Sequence, residues 1–247
     1  MIARWSATLA LAALANVVCA PVQAWQGART RVVIFHHAFS GACAGCDLSG
    51  RSLADALVRD GDFTRASFAR ANLTRAEITG GKFTEASFAG SDLRSAKAVG
   101  ADFSGANFSG ATIAGAAFTG ANLARASFLG ASGPGASFVR SDLSGADLSG
   151  AKLEKADFES VRARGTKFER TVLLDARLTR ADLRRARFEG TRVARASFAG
   201  ANLSGADLRY ALGLSQRQLN QACGDAETLL PPGLTISECA VRRWGGR

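Results

Sequence analysis

The chain of 247 residues is 47% apolar, has 27 Gly against 4 Pro, and carries a formal net charge of +10 at pH 7. That balance excludes an acidic, nucleic-acid-like surface and favours anionic partners such as an acidic protein, a glycan or a lipid head group. Ala, Gly, Ser and Arg dominate while Tyr and Met occur once each, a bias that points to internal repeats.

Residues 1–24 read as a signal peptide. A short basic leader ends at Arg4, and residues 5–18 are apolar but too short to span a bilayer comfortably. Val22-Gln23-Ala24 then supplies the small residues a signal peptidase needs. An exported protein follows, in the periplasm or secreted, with no transmembrane span in the mature chain. Cleavage removes Arg4 and leaves 30 Lys+Arg against 21 Asp+Glu, a net charge of +9.

Residues 25–45 form an N-terminal cap segment, with Arg31-Val32-Val33-Ile34-Phe35 as an apolar, β-branched run. Cys19 leaves with the signal, and Cys43, Cys46, Cys223 and Cys239 remain. An even number in an exported chain reads as disulfides. Proximity favours Cys43 with Cys46 and Cys223 with Cys239, one pair at each end, and the other pairings stay open. Cys43-Ala44-Gly45-Cys46 lacks the setting of a redox motif, and Asp47 stands where haem attachment needs His. A zinc site would recruit His36 and His37, but adjacent imidazoles rarely reach one metal. No metal or cofactor is expected.

From Leu48 to Leu208 every fifth residue is large and apolar. Of 33 such positions 30 are Leu, Ile, Val or Phe; the exceptions are Ala98, Gly133 and Ala163. Two residues earlier stands a small residue, usually Ala, and one residue earlier a polar one, often Asp or Asn. A helix repeats at 3.6 residues and a strand at 2, so neither keeps every fifth residue inside. A chain that turns a corner once per quintet does. The large residue and the small one then point inward, and the other three positions face water.

Runs such as Ala101-Asp102-Phe103-Ser104-Gly105 and Ala201-Asn202-Leu203-Ser204-Gly205 resemble the A(D/N)LXX motif of the pentapeptide-repeat family. The resemblance spans about residues 46–210. It implies an all-β, right-handed, quadrilateral β-helix with four quintets per coil and about eight coils. The sequence carries a mark of that period: at 20-residue spacing Phe68, Phe88, Phe108, Phe128, Phe168 and Phe188 fall on one side, as a core ladder. Sorting at 15 residues spreads the Phe residues instead.

Residues 211–247 form a C-terminal cap. Ser215-Gln216-Arg217-Gln218 is a capping-box pattern opening a short helix through Leu219 and Ala222, with Gly224 as the stop. Pro231-Pro232-Gly233 turns the chain. The segment is similar to tails that follow the array in many bacterial members of the family.

Catalytic residues are not expected, because no nucleophile elbow, phosphate loop or dinucleotide fingerprint occurs. The recurring Asp (Asp47, Asp62, Asp92, Asp102, Asp142, Asp147, Asp157, Asp182, Asp207) reads as side chains bonding turn backbone at the corners. Charge is uneven. Residues 100–124 carry one charged side chain, Asp102, whereas residues 152–195 carry 13 Lys+Arg and 7 Asp+Glu. Coiling the chain gathers Arg162, Arg164, Arg184 and Arg185 on one side and Lys167, Arg170 and Arg187 round the next corner. Glu169, Asp182 and Glu189 lie among them, and Arg65, Arg70 and Arg75 form a smaller group. The expected function is therefore a non-enzymatic, macromolecule-binding or scaffold module of the bacterial envelope, with a basic side for an anionic partner. The competing reading is a structural spacer without a ligand, open to homo-oligomer formation. Some members of the family mimic DNA and bind topoisomerases; the basic charge and export signal disfavour that here, and the export signal also disfavours nucleic acid as a partner.

Overall fold

The computed structural model describes residues 38–39 and 43–240, within a compact unit spanning Val32–Arg247. The expectations for residues 1–24, for the 31–35 run and for His36 and His37 fall outside the described residues.

Where each backbone N–H goes explains the quintet. Take the one centred on Phe88. The Phe88 N–H donates to the Asn107 carbonyl in the next coil at 2.7 Å, and the Gly90 N–H donates to Ser109 at 2.9 Å. The N–H of Ser91 turns the corner by donating to the Phe88 carbonyl at 3.0 Å, while that of Ser87 reaches back to Ala66 at 2.9 Å. Four of five donors are thus used, and buried backbone demands no less. Parallel bridges repeat this at a 20-residue offset, from Asp47↔Ser67 through Arg187↔Asp207. Four quintets therefore make one coil, stacked at the usual inter-strand spacing of ~4.8 Å.

The fifth donor, one residue after the centre, has no place in the ladder. Asp or Asn just before the centre accepts it, as in Thr64 N–H to Asp62 Oδ1 at 3.0 Å and Ser149 N–H to Asp147 Oδ1 at 2.9 Å. All nine Asp residues of the recurring position bond a corner N–H in this way. The short acidic side chain stands there because it reaches two residues ahead.

The centres fill a narrow bore. Phe68, Phe88, Phe108 and Phe128 stack face to face at 4.9, 4.8 and 4.7 Å with interplanar angles of 7° or less. Leu148 interrupts the column before Phe168 and Phe188 resume it at 5.1 Å. A second column flanks the first and changes sides. Phe63, Phe83 and Phe103 stack at 5.1 and 5.0 Å on one flank, and Phe118, Phe138 and Phe158 at 5.3 and 4.9 Å on the other. The exceptions to the repeat follow from this. Ala98 precedes Phe103, Ala163 follows Phe158, and Gly133 lies between Phe128 and Phe138 in their coils, so a small centre compensates a ring beside it.

The last residue of each quintet from Gly45 to Gly205 sits in the left-handed region. Sixteen residues with a side chain take φ of 50–60° there, and nine of them are Arg. For five of these Arg (Arg70, Arg125, Arg170, Arg180 and Arg185) the aliphatic stem lies over a glycine one coil on: a Cβ built on Gly190 would stand 3.2 Å from Arg170 Cγ, and one on Gly205 3.3 Å from Arg185 Cγ. Long stems of this kind cover backbone while the charge stays in water. Arg140 has φ of 56° and no ion-pair partner among the described residues. Arg140→Gly is expected to stabilise the fold by up to about 1 kcal/mol, the left-handed penalty of about 1–2 kcal/mol exceeding the entropy Gly loses, about 0.5–1 kcal/mol. A higher urea midpoint at unchanged slope checks it.

Stacking runs past both ends of the 46–210 array. Cys43 already occupies a centre position, its N–H donating to Asp62 at 2.7 Å. Before it, β1 (Ala38–Phe39) pairs with β2 (Leu57–Arg59), which pairs with β3 (Glu77–Thr79), all parallel. After Leu208 the coil continues with insertions. Asn202 bridges Cys223 and Asp207 bridges Leu229, offsets of 21 and 22 instead of 20. The one-turn helix α1 (Gln216–Leu219) fills one side, with Leu219 fully buried. The Ser215 N–H donates to Gln218 Oε1 at 2.9 Å, and Gln218 Nε2 donates to the carbonyls of Val193 and Ala196, both at 2.8 Å. The helix ends at Leu219 with Asn220 as cap, so the expected extension through Ala222 to a stop at Gly224 is corrected. Gly224 instead belongs to β4 (Cys223–Gly224), which pairs with β5 (Ser237–Glu238). A Cβ there would stand 2.6 Å from Thr228 Oγ1, so the rung admits only glycine as it stands.

Candidate interaction surface

The coil brings the seven basic residues together as two neighbouring strips, and it brings carboxylates with them. Arg162 Nε lies 3.1 Å from Asp142 Oδ2, and Lys167 Nζ 3.7 Å from Asp147 Oδ2, each exactly one coil back in the stack of bridge positions. Arg187 pairs with Glu169 at 2.9 Å and Arg184 with Asp182 at 2.5 Å. Among the described residues Arg164, Arg170 and Arg185 have no ion-pair partner. Glu189 lines the same surface as Arg170 and Arg187, so the seven cations face five carboxylates and the local surplus is two. Exposed pairs of this kind contribute about 0–1 kcal/mol each, so their main effect is to cancel field.

The sequence pointed to Glu169, Asp182 and Glu189 as partners and missed Asp142 and Asp147. The signal was available: both stand 20 residues before a cation of the same quintet position. Two of the three in the smaller group are paired too, Arg65 with Glu85 at 2.9 Å and Arg75 with Asp55 at 2.6 Å. Arg177 and Arg180 both hold Glu159.

The carboxylates respond to this setting. Burial pushes Asp182 up, but Arg184, the corner N–H and the nearby Arg164 outweigh it and hold the carboxyl below its ordinary range. Asp142 and Asp147 behave alike, burial opposing the hydrogen bonds of Ser144 and Ser149 and the charges of Arg162 and Lys167. The Ser49 and Thr64 hydroxyls and N–H groups lower Asp47 and Asp62. Folded pKa values thus lie below the unfolded value of about 3.9. Such groups stabilise fully above that value, and the contribution fades as pH falls through the folded pKa. Melting temperature is expected to stay level from about pH 8 to 5 and then to fall steeply below about pH 4. A pH series of thermal melts checks it; a flat profile down to pH values near the folded pKa would show that the corners need no carboxylate.

The structure joins Cys43 to Cys46 and Cys223 to Cys239, with Cα separations of 5.4 and 4.7 Å. Cys43 stands at a centre and Cys46 at the following small position, so the first bridge substitutes for the usual Leu and Ala at the start of the bore. Among the described residues no group of three His, Cys, Asp or Glu is arranged to hold a metal ion, and no helix is long and apolar enough to cross a membrane. Interior hydroxyls are bonded, Thr166 Oγ1 to the Leu143 carbonyl at 2.7 Å and Thr171 Oγ1 to that of Leu148 at 2.8 Å.

Residues 43–80, 52–90, 86–125, 114–150, 156–193 and 176–211 match the family model of pentapeptide repeats, in 8 copies. The chain belongs to the pentapeptide-repeat family. Solved structures of such proteins are similar to it. HetL, involved in heterocyst differentiation regulation in the cyanobacterium Nostoc sp. strain PCC 7120, is 25% identical, with 79% of this chain and 87% of that one covered and a TM-score of 0.42. Rfr23 from the cyanobacterium Cyanothece 51142 is 18% identical over 54% of this chain and 90% of its own, with a TM-score of 0.40. QnrB1, a plasmid-mediated fluoroquinolone resistance protein, is 19% identical over 76% of this chain and 92% of its own, with a TM-score of 0.35. No curated protein sequence matches the chain.

Proposed function

We propose that this pentapeptide-repeat protein is a non-enzymatic, exported binding module that holds an anionic macromolecule against the C-terminal half of a right-handed, four-sided solenoid. The carrying observation is the trio Arg164, Arg170 and Arg185, which has no direct ion-pair partner among the described residues, whereas Arg162, Lys167, Arg184 and Arg187 are paired. Arg170 and Arg185 stand on left-handed corners with φ of 57°, so their backbones are fixed and their stems laid over Gly190 and Gly205. Positioned cations of this kind attract an acidic protein, glycan or head group without ordering a loop first. The reading of residues 1–24 as a signal peptide supports an envelope location.

The test is retention of the processed chain on an immobilised polyanion, polyglutamate, at low and high salt. Retention is expected to fall steeply between about 50 and 500 mM salt, as the Debye length shrinks below 10 Å. The triple variant Arg164→Ser, Arg170→Ser, Arg185→Ser should lose it at low salt, while the triple variant Arg162→Ser, Lys167→Ser, Arg187→Ser, which removes three cations already held by carboxylates, is the charge-matched control and should keep more of it. Salt-independent retention, or equal retention by the first triple variant, contradicts the reading. The nearly uncharged stretch 100–124 favours the alternative of a spacer, for which sedimentation would show end-to-end association and no polyanion binding.

A further inference from the structure

The two disulfides hold different things. At Cys43–Cys46 the backbone on both sides is already locked in the ladder: the Cys43 N–H donates to Asp62 and the Cys46 carbonyl accepts from Ser67, both at 2.7 Å. Breaking that bridge frees no segment. Cys223–Cys239 spans 16 residues and closes the tail over the last coil. Beyond Leu230 the tail is otherwise tied by few bonds. Gln216 and Thr235 exchange hydrogen bonds at 3.0 and 2.9 Å, the Cys239 N–H donates to the Gly224 carbonyl at 2.9 Å, and β5 adds one two-residue rung to β4.

The bridge is also reachable. Cys239 borders a surface cleft of about 480 Å3 whose wall includes Ser204, Gly224, Asp225 and Glu238. The Ser204 hydroxyl lies 3.6 Å from Cys239 Sγ. Among the described residues two acidic side chains and no basic one line this opening. Like charge repels an incoming thiolate that itself carries net negative charge, and a neutral dithiol meets less resistance.

We propose that Cys223–Cys239 is a thiol-exchangeable latch, opened through this cleft by a dithiol with a neutral or basic face, and that opening it uncovers the C-terminal end of the solenoid. A thiolate of the dithiol attacks Cys239 Sγ, the S–S bond breaks, and Cys223 leaves as a thiolate that takes up a proton. The second thiol of the dithiol then resolves the mixed disulfide and Cys239 leaves as a thiol. Two electrons pass to the protein, and the dithiol becomes a disulfide. Without the bridge the tail keeps one two-residue rung, marginal alone, the Gln216–Thr235 exchange and three apolar side chains that are only partly buried, and these do not hold it seated. Its departure strips the Cys239 donor from the Gly224 carbonyl and bares Leu230, Leu234 and Ile236, which pack partly buried on the core. An open strand edge with apolar side chains beside it is a surface other chains can join.

The experiment treats the purified chain under native conditions with dithiothreitol, a neutral dithiol, or with glutathione, an anionic thiol, at matched thiolate concentration. Alkylation and mass spectrometry follow each cysteine, and hydrogen exchange follows the amides. Cys223 and Cys239 are expected to be alkylated at least ten-fold faster with dithiothreitol. Glu238→Gln should narrow that gap several-fold. Amides of 237–239 should lose protection while those of 83–128 keep it. Alkylation only at the rate at which the array unfolds, equal rates for the two thiols, or tail amides still protected after complete reduction would each overturn the proposal.

Discussion

Phe108→Ala is expected to destabilise the protein by about 3–5 kcal/mol, the range for deleting a fully buried aromatic ring. Phe108 has no exposed surface and touches four other rings. It stacks on Phe88 at 4.8 Å and Phe128 at 4.7 Å, and meets Phe103 and Phe118 edge-on at 5.5 and 5.7 Å. It is also where the flanking column changes sides, so removal leaves a hole that neither flank fills. In a solenoid each coil is stabilised only by its neighbours. The loss should therefore uncouple the two halves as well as weaken the whole. Urea unfolding followed by hydrogen exchange tests both parts. The wild type should show one transition, and the variant a lower midpoint with residues 53–103 and 113–208 exchanging at different rates. A loss below about 1 kcal/mol would mean that the rings are not packed as a column.

Gly133→Leu is the second large effect, and its sign runs against the repeat. The motif wants a large residue at position 133, so restoring Leu would pass for an improvement by the sequence alone. Yet a Cβ on Gly133 would stand 2.5 Å from Ile113 Cγ1, 2.9 Å from Ile113 Cδ1 and 3.0 Å from Leu153 Cδ2. The neighbouring coils have closed over the place. Overpacking of this kind costs about 1–3 kcal/mol, at times more. A second change, Ile113→Ala, should restore much of the loss by reopening the space; the single and double variants form a cycle whose coupling measures the clash. A neutral or stabilising single variant would show the site to be an empty slot.

The array was legible because a five-residue period constrains every centre at once, and Phe88 could be placed against Phe108 from residue numbers alone. The corner role of Asp62 or Asp147 was legible for the same reason: one N–H per quintet lacks a ladder partner, and a short acceptor just before the centre meets it. The N-terminal start was less so, since Cys43 fills a centre without being Leu, Ile, Val or Phe. The C-terminal end hid its stacking behind insertions that shift Cys223 and Leu229 by one and two residues. That is why Gly224 read as a helix stop instead of a rung.

The basic side shows the other limit. Arg162 and Arg164 are two residues apart in sequence, yet Asp142 pairs directly with one while the other has no ion-pair partner among the described residues. Linear charge counting sees both alike. Ion pairing across coils depends on which column a side chain stands in, and only the 20-residue stack reveals it. The same stack shows what five of the nine left-handed Arg do: the stem covers a glycine one coil on, an arrangement invisible in any single quintet.

The central claim is that the chain gains one rung per 20 residues. Paired spin labels on outward corner positions test it most directly, since the native cysteines of the described residues are joined in disulfides. Labels at Ser104→Cys with Ser144→Cys stand two rungs apart, and at Thr64→Cys with Ser144→Cys four rungs apart. Distances of about 10 and 19 Å are expected from an inter-strand spacing of ~4.8 Å. Equal distances for the two pairs, or a separation that does not grow in proportion to rung number, would contradict the fold.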